Sequence, residues 1–119
     1  MLSRSSRRIQ SDRFKYALRL QSGSRVALLK GKNSLIAREG SPLSINATGN
    51  PVLATGGSGD VLAGVIGALL ARAVPARDAA VLGAWVHGRA ADRLAEVRLT
   101  GWGASDIAAA IPDAVGELL

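Results

Sequence analysis

The 119 residues contain no cysteine. That excludes disulfides and thiolate metal sites and suits a reducing compartment. Aromatic residues make up only 3%, with two Trp, one Tyr and one Phe, so a core has to be built from Ala, Val, Leu and Ile. No apolar stretch reaches the roughly 18–20 residues of a membrane span. The run from Val61 to Leu70 is too short for that, and Gly64 and Gly67 interrupt it. With 48% hydrophobic residues the composition is nevertheless that of a globular chain, read as a soluble, cytoplasmic protein with no membrane partner.

Charge is unevenly spread. Residues 1–32 carry nine basic side chains (Arg4, Arg7, Arg8, Arg13, Lys15, Arg19, Arg25, Lys30 and Lys32) against the single acid Asp12. The remainder carries six basic and eight acidic side chains, so the formal net charge of +6 belongs to one end. MLSRSSRRIQ is compatible with a nucleic-acid arm or an organelle transit peptide. The favoured reading is a basic N-terminal helix or arm over 1–22, with Ile9, Phe14, Tyr16, Ala17, Leu18 and Leu20 giving a partial apolar face. No aromatic residues alternate with a second basic stripe, which argues against nucleic acid as a partner.

From residue 23 to 119 the pattern is that of one α/β unit. RVALLK (25–30) and SLIA (34–37) read as short buried strands, and PLSIN (42–46) follows the R-E-G-S-P turn as another. Helical spacing begins at Asp60 with Val61, Leu62, Val65, Ile66 and Leu69, and Pro75 is expected to end that helix. Further helices are expected over 78–96 and 104–119, the last capped around Ser105–Asp106 and kinked or divided at Pro112. Three short strands are a thin sheet for an independent domain. The expected partner is therefore a complementary N-terminal half or a second copy of the chain.

Between strands and helices lies NATGNPVLATGGSGD (46–60). A helix start presents unpaired N–H groups and partial positive charge, and glycines let an anion reach that backbone. Gly56, Gly57, Ser58 and Gly59 thus make an anion cradle. Asp60, which would repel phosphate, makes sense there as the acceptor of a proton from an attacking hydroxyl. The Walker loop is excluded because no Lys follows the glycines. The dinucleotide fingerprint is excluded because its third glycine position, counted from Gly57, is Leu62. On spacing alone, a simple helix cap by Ser58 or Asp60 fits equally well.

The longer stretch resembles N-x-T-G-N-x-x-x-A-x-G-G-[ST]-G-D, the signature of the ADP/ATP-dependent NAD(P)H-hydrate dehydratases within the ribokinase-like superfamily. Asn46, Thr48, Gly49, Asn50, Ala54, Gly56, Gly57, Ser58, Gly59 and Asp60 fit it, and LLKGKNSLIA, VHGRAADRLA and GWGASDIAAAIPDAV are similar to flanking parts of the family. The resemblance covers about residues 12–119. It implies a ribokinase-like three-layer α/β/α fold, represented by its C-terminal half, since the family's catalytic domain is roughly twice this length.

It further implies phosphorylation of the 6S hydrate of NADH or NADPH by ADP or ATP with Mg2+, followed by loss of phosphate. In that reading Asp60 is the catalytic base and contacts the substrate together with Asn46 and Asn50. Lys30, Gly31, Lys32, Asn33 and Ser34 join Gly56, Gly57, Ser58 and Gly59 in binding the nucleotide. The same loop would also serve a small-alcohol kinase, or persist in a non-catalytic, nucleotide-binding remnant. His87 reads as a structural histidine without a Ser or Cys partner, Trp85 and Trp102 as packing anchors. Asp92 and Glu96 read as surface ion pairs with Arg89 and Arg93.

Overall fold

The computed structural model describes residues 26–29, 35–38, 40 and 43–119. The basic segment 1–22 and the expected nucleotide-contacting residues Lys30, Gly31, Lys32, Asn33 and Ser34 lie outside the described residues.

Three strands form an antiparallel sheet in chain order: β1 (Val26–Leu29), β2 (Leu35–Arg38) and β3 (Ser44–Ile45). Val26 pairs with Arg38 and Leu29 with Leu35, while Leu35 also faces Ile45 across the second ladder. Side chains alternate between the two faces of a strand. Ile36 accordingly packs with Val26, Leu28, Ala80 and Ala84, while Leu35 and Ala37 cluster with Leu43 on the other face.

A single turn of 3-10 helix (Pro51–Ala54) then leads into α1 (Ser58–Ala71), α2 (Ala76–Val97) and α3 (Ala104–Gly116). α2 is the hub: it touches the sheet, the 3-10 turn, α1 and α3. The main core consists of Val52, Val86, Ala90, Ala91, Ile107, Ala110 and Ala114, with Trp85 and Trp102 packed at its margin. Alanine on the facing sides of α2 and α3 lets the helices approach closely, and the scarcity of aromatics leaves that as the available way to fill the interior.

Three helix ends differ from the sequence expectation. α1 begins at Ser58 rather than Asp60, because Gly57 takes up a left-handed conformation at its cap (φ 88°). Its C-terminus is closed before Pro75 is reached: Ala73 (φ 64°) donates to Leu70 O and Val74 to Leu69 O, at 3.0 and 3.1 Å. Those two bonds satisfy carbonyls that the helix leaves open. Pro75 instead caps α2, its carbonyl accepting from Ala79 N at 2.8 Å.

α3 is capped at Gly103, whose N–H donates to Asp106 Oδ2 at 2.8 Å. It runs past Pro112 undivided. Proline removes one backbone donor there, and Pro112 is exposed, so the freed carbonyl four residues earlier is not sealed in the core.

Candidate functional site: the 46–60 loop

The loop from Asn46 to Asp60 lies along α2, which holds it at several points. Asn46 Nδ2 donates to Ala84 O at 3.1 Å and to Thr48 O at 3.3 Å. Its Oδ1 accepts from Thr48 N at 3.4 Å. The Thr48 hydroxyl lies 3.0 Å from both Asn46 Oδ1 and Trp85 O, and its one proton serves one of them at a time. This contact requires Gly88: a Cβ there would sit 2.2 Å from Thr48 Oγ1 and 2.7 Å from its carbonyl carbon.

One turn further along α2, Asp92 accepts from Gly49 N at 3.2 Å and from Asn50 Nδ2 at 2.9 Å. Gly49 has φ 110°, a conformation that costs little only for glycine. Asn50 caps the 3-10 turn, its Oδ1 accepting from Val52 N at 2.9 Å. Pro51 begins that turn with its φ already restricted. Thr55 then ties the loop to the segment before α3, its hydroxyl donating to Trp102 O at 2.9 Å.

The glycine turn follows. Ser58 N donates to Thr55 O at 3.2 Å, and both Asp60 N and Val61 N reach Gly57 O, at 3.1 and 3.3 Å. The amides of Gly57 and Gly59 make no hydrogen bond among the described residues. They stand at the N-terminus of an apolar helix, where partial positive charge accumulates. Gly57 is exposed, Gly59 half-buried, and Asp60 exposed in the first turn. A Cβ on Gly57 would come within 3.1 Å of Ala104 Cβ. The arrangement can therefore accept an anion at the Gly57–Gly59 backbone with a carboxylate one residue away.

Ser58 is turned inward. It is 3% exposed, and its Oγ and carbonyl oxygen each lie 3.0 Å from Nε2 of His87, itself 6% exposed. His87 thus packs as a structural histidine, but with a serine partner that the sequence reading did not give it. Ser58, Asn46 and Asn50 were expected to touch ligands. Here the Ser58 hydroxyl and the amides of both asparagines are taken up within the protein.

Asp92 also departs from expectation. It holds backbone and an amide rather than an arginine, while Arg89 and Arg93 pair with Glu117 at 2.9 and 3.3 Å, and Arg89 with Glu96 at 3.7 Å. The one signal available beforehand was Gly88 four residues before Asp92, which puts a gap and a carboxylate on one helix face.

Among the described residues no group of three His, Asp or Glu side chains could hold a metal ion.

A family model described as NAD(P)H-hydrate dehydratase matches residues 1–113. The chain belongs to the NAD(P)H-hydrate dehydratase family. It is 51% identical over 71 residues to the ADP-dependent (S)-NAD(P)H-hydrate dehydratase of Neisseria meningitidis, a match covering 60% of this chain and 24% of that one. The bifunctional NAD(P)H-hydrate repair enzyme Nnr of Escherichia coli K12 is 48% identical over 88 residues, covering 73% of this chain and 17% of its own.

Among solved structures, the ADP/ATP-dependent NAD(P)H-hydrate dehydratase of Bacillus subtilis, co-crystallised with ATP and Mg2+ and soaked with CoA, superposes with a TM-score of 0.77 at 28% identity. That superposition covers 93% of this chain and 42% of the Bacillus one. Bacillus subtilis YxkO, described as a putative kinase, gives a TM-score of 0.78 at 26% identity over all of this chain and 45% of its own. The ribokinase-like α/β fold expected from the signature is thereby established, as short strands followed by three helices. The chain spans less than half the length of each of these relatives.

Proposed function

We propose that this chain supplies the nucleotide side of an ADP-dependent NAD(P)H-hydrate dehydratase. The observation that carries the reading is the pair of amides at Gly57 and Gly59 that make no hydrogen bond among the described residues, at the start of an apolar helix with the exposed carboxylate of Asp60 beside them. Backbone N–H groups there would bind the terminal phosphates of ADP, and no side chain at Gly56, Gly57 or Gly59 blocks the approach. Lys30, Gly31, Lys32, Asn33 and Ser34 are assigned to the same nucleotide.

With no metal cluster among the described residues, Mg2+ would arrive on the nucleotide phosphates, its common mode of binding. There it would neutralise phosphate charge. Asp60 removes the proton from the hydroxyl of the 6S hydrate of NADH or NADPH as that oxygen bonds to the terminal phosphorus and the bond to the nucleotide breaks. The C–O bond of the new phosphate ester then breaks, phosphate leaves with its electrons, a ring proton is lost, and the dihydronicotinamide double bond is restored.

Asn46 and Asn50 serve this site by holding the loop. The nicotinamide side of the site is assigned to residues outside these 119, in a complementary N-terminal half. The described helices include none long and apolar enough to cross a membrane, and a cytoplasmic site of action is part of this reading.

Thermal unfolding with and without Mg-ADP tests the reading. At a nucleotide concentration about 100-fold above Kd, native-state binding adds about 2.7 kcal/mol. A midpoint unmoved by Mg-ADP would sink the proposal. In the completed enzyme Asp60→Asn is expected to lower turnover of the hydrate by about 10²–10⁴-fold, with nucleotide affinity retained. Turnover of a simple alcohol in place of the hydrate would identify a small-molecule kinase instead.

A further inference from the structure

We propose that Asp92 is the positioning residue of the nucleotide cradle, acting from α2 through Gly49 and Asn50. This rests on the reading of Gly56–Gly59 as the phosphate-binding turn. Each oxygen of the Asp92 carboxylate takes one loop donor, Gly49 N and Asn50 Nδ2. Among the described residues no Lys or Arg lies within ion-pair distance of it; its charge reaches Arg89 through space, but both of its hydrogen bonds go to the loop. Hydrogen bonds to an ionised acceptor are roughly twice as strong as neutral ones.

From Asp92 an unbroken series of hydrogen bonds runs to the start of α1. Asn50 Nδ2 donates to Asp92, and Asn50 Oδ1 accepts from Val52 N. Val52 O accepts from Thr55 N at 3.3 Å, and Thr55 O from Ser58 N at 3.2 Å. Gly49, at φ 110°, holds an otherwise weakly determined backbone, and its N–H on Asp92 is the bond that fixes it. Asp92 therefore sets where the 3-10 turn begins, and the turn sets where Gly57 and Gly59 present their amides. A cradle held in place before the nucleotide arrives loses less freedom on binding.

The pair offers a sharp test, because Asp92 and Asn50 can exchange side chains. In Asp92→Asn alone one acceptor is lost, so the new NH2 group faces either the Asn50 NH2 or Gly49 N–H. In the double variant Asp92→Asn, Asn50→Asp, the new Asn can accept from Gly49 N and donate to the new Asp, which still accepts from Val52 N. Two readouts apply: hydrogen exchange of the Gly49, Val52 and Ser58 amides in the nucleotide-free chain, and the Kd for Mg-ADP.

Asp92→Asn is expected to speed exchange at those three amides and to raise Kd, each by about tenfold, the loss of one charge-assisted hydrogen bond. The amides of Ala110 and Ala114 in α3 should keep their exchange rates, and the swap should bring both readouts back to within about threefold of wild type. A Kd for Asp92→Asn within twofold of wild type overturns the proposal. So does faster exchange that is equal in α3, or a swap that restores nothing. If Asp92→Asn does not fold, the swap decides: folded and binding supports the proposal, unfolded overturns it. A wild-type chain that binds no Mg-ADP refutes the cradle reading instead, and exchange with its rescue then decides the role of Asp92.

Discussion

Gly88 has no side chain, and Thr48 fills the space one would need. Its Cβ would lie 2.2 Å from the Thr48 hydroxyl and 2.8 Å from the Thr48 carbonyl oxygen, and the latter is backbone that cannot swing away. Gly88→Ala is therefore expected to cost about 1–3 kcal/mol or more, as overpacking does, measured by urea or guanidinium unfolding. Gly83→Ala meets Ile66 Cγ1 at 2.6 Å but backbone no nearer than 3.8 Å, and should cost less. The glycines of the signature were legible as glycines in the sequence. That Gly88 belongs with Thr48, and His87 with Ser58, was not, because neither contact leaves a local pattern.

Helix ends carry two further expectations. Ala73 occupies the left-handed position that closes α1, where an L side chain costs roughly 1–2 kcal/mol and glycine does not. Glycine also gains freedom in the unfolded chain, so Ala73→Gly should stabilise by a net of about 0.5–1 kcal/mol, read from the unfolding midpoint.

At the far end of α3, Glu117 ties back to α2. The hydrogen bond from Arg89 holds its carboxyl below the ordinary value of 4.5, against the opposing effect of burial, and the charge of Arg89 and contact with Arg93 add to the lowering. A carboxyl whose folded pKa is depressed contributes stability above its unfolded value, and that contribution is lost as pH falls through the folded pKa. The stability difference between wild type and Glu117→Gln should therefore be present at neutral pH and fade below pH 4.5. It should also shrink with added salt, since the pair is exposed. Helix existence was readable from apolar spacing. The ends were less so: Pro75 was read as closing one helix and in the fold opens the next, since proline is tolerated at a helix start as well as after a helix end.

The described fold is organised around α2, which meets the sheet through Ala80 and Ala84 in its first half and packs Ala90 and Ala91 of its second half in one core with Ile107 of α3. Ile107 is fully buried in a core of four alanines with Val52 and Val86, whose short side chains cannot extend to fill a gap left by its loss. Ile107→Ala is expected to cost about 2–5 kcal/mol, checked by denaturant unfolding. The same helix carries Asp92, His87 and the carbonyls of Ala84 and Trp85 that grip the loop. Loosening the core should therefore weaken nucleotide binding along with stability.

By itself the sequence determined the order of strands and helices, a core built from Ala, Val, Leu and Ile, and the glycine turn ending in Asp60. Each of these is written in neighbouring residues through period, backbone freedom and helix-start chemistry. Only the tertiary structure decided which polar groups of the signature remain without a hydrogen-bond partner among the described residues. Asn46, Asn50 and Ser58 sit in the motif beside Gly57, Gly59 and Asp60, yet partners 38, 42 and 29 residues away take up their side chains. Hydrogen bonds are directional and short, so which of two neighbouring polar residues faces the ligand is fixed by what packs behind the loop. Here that is α2.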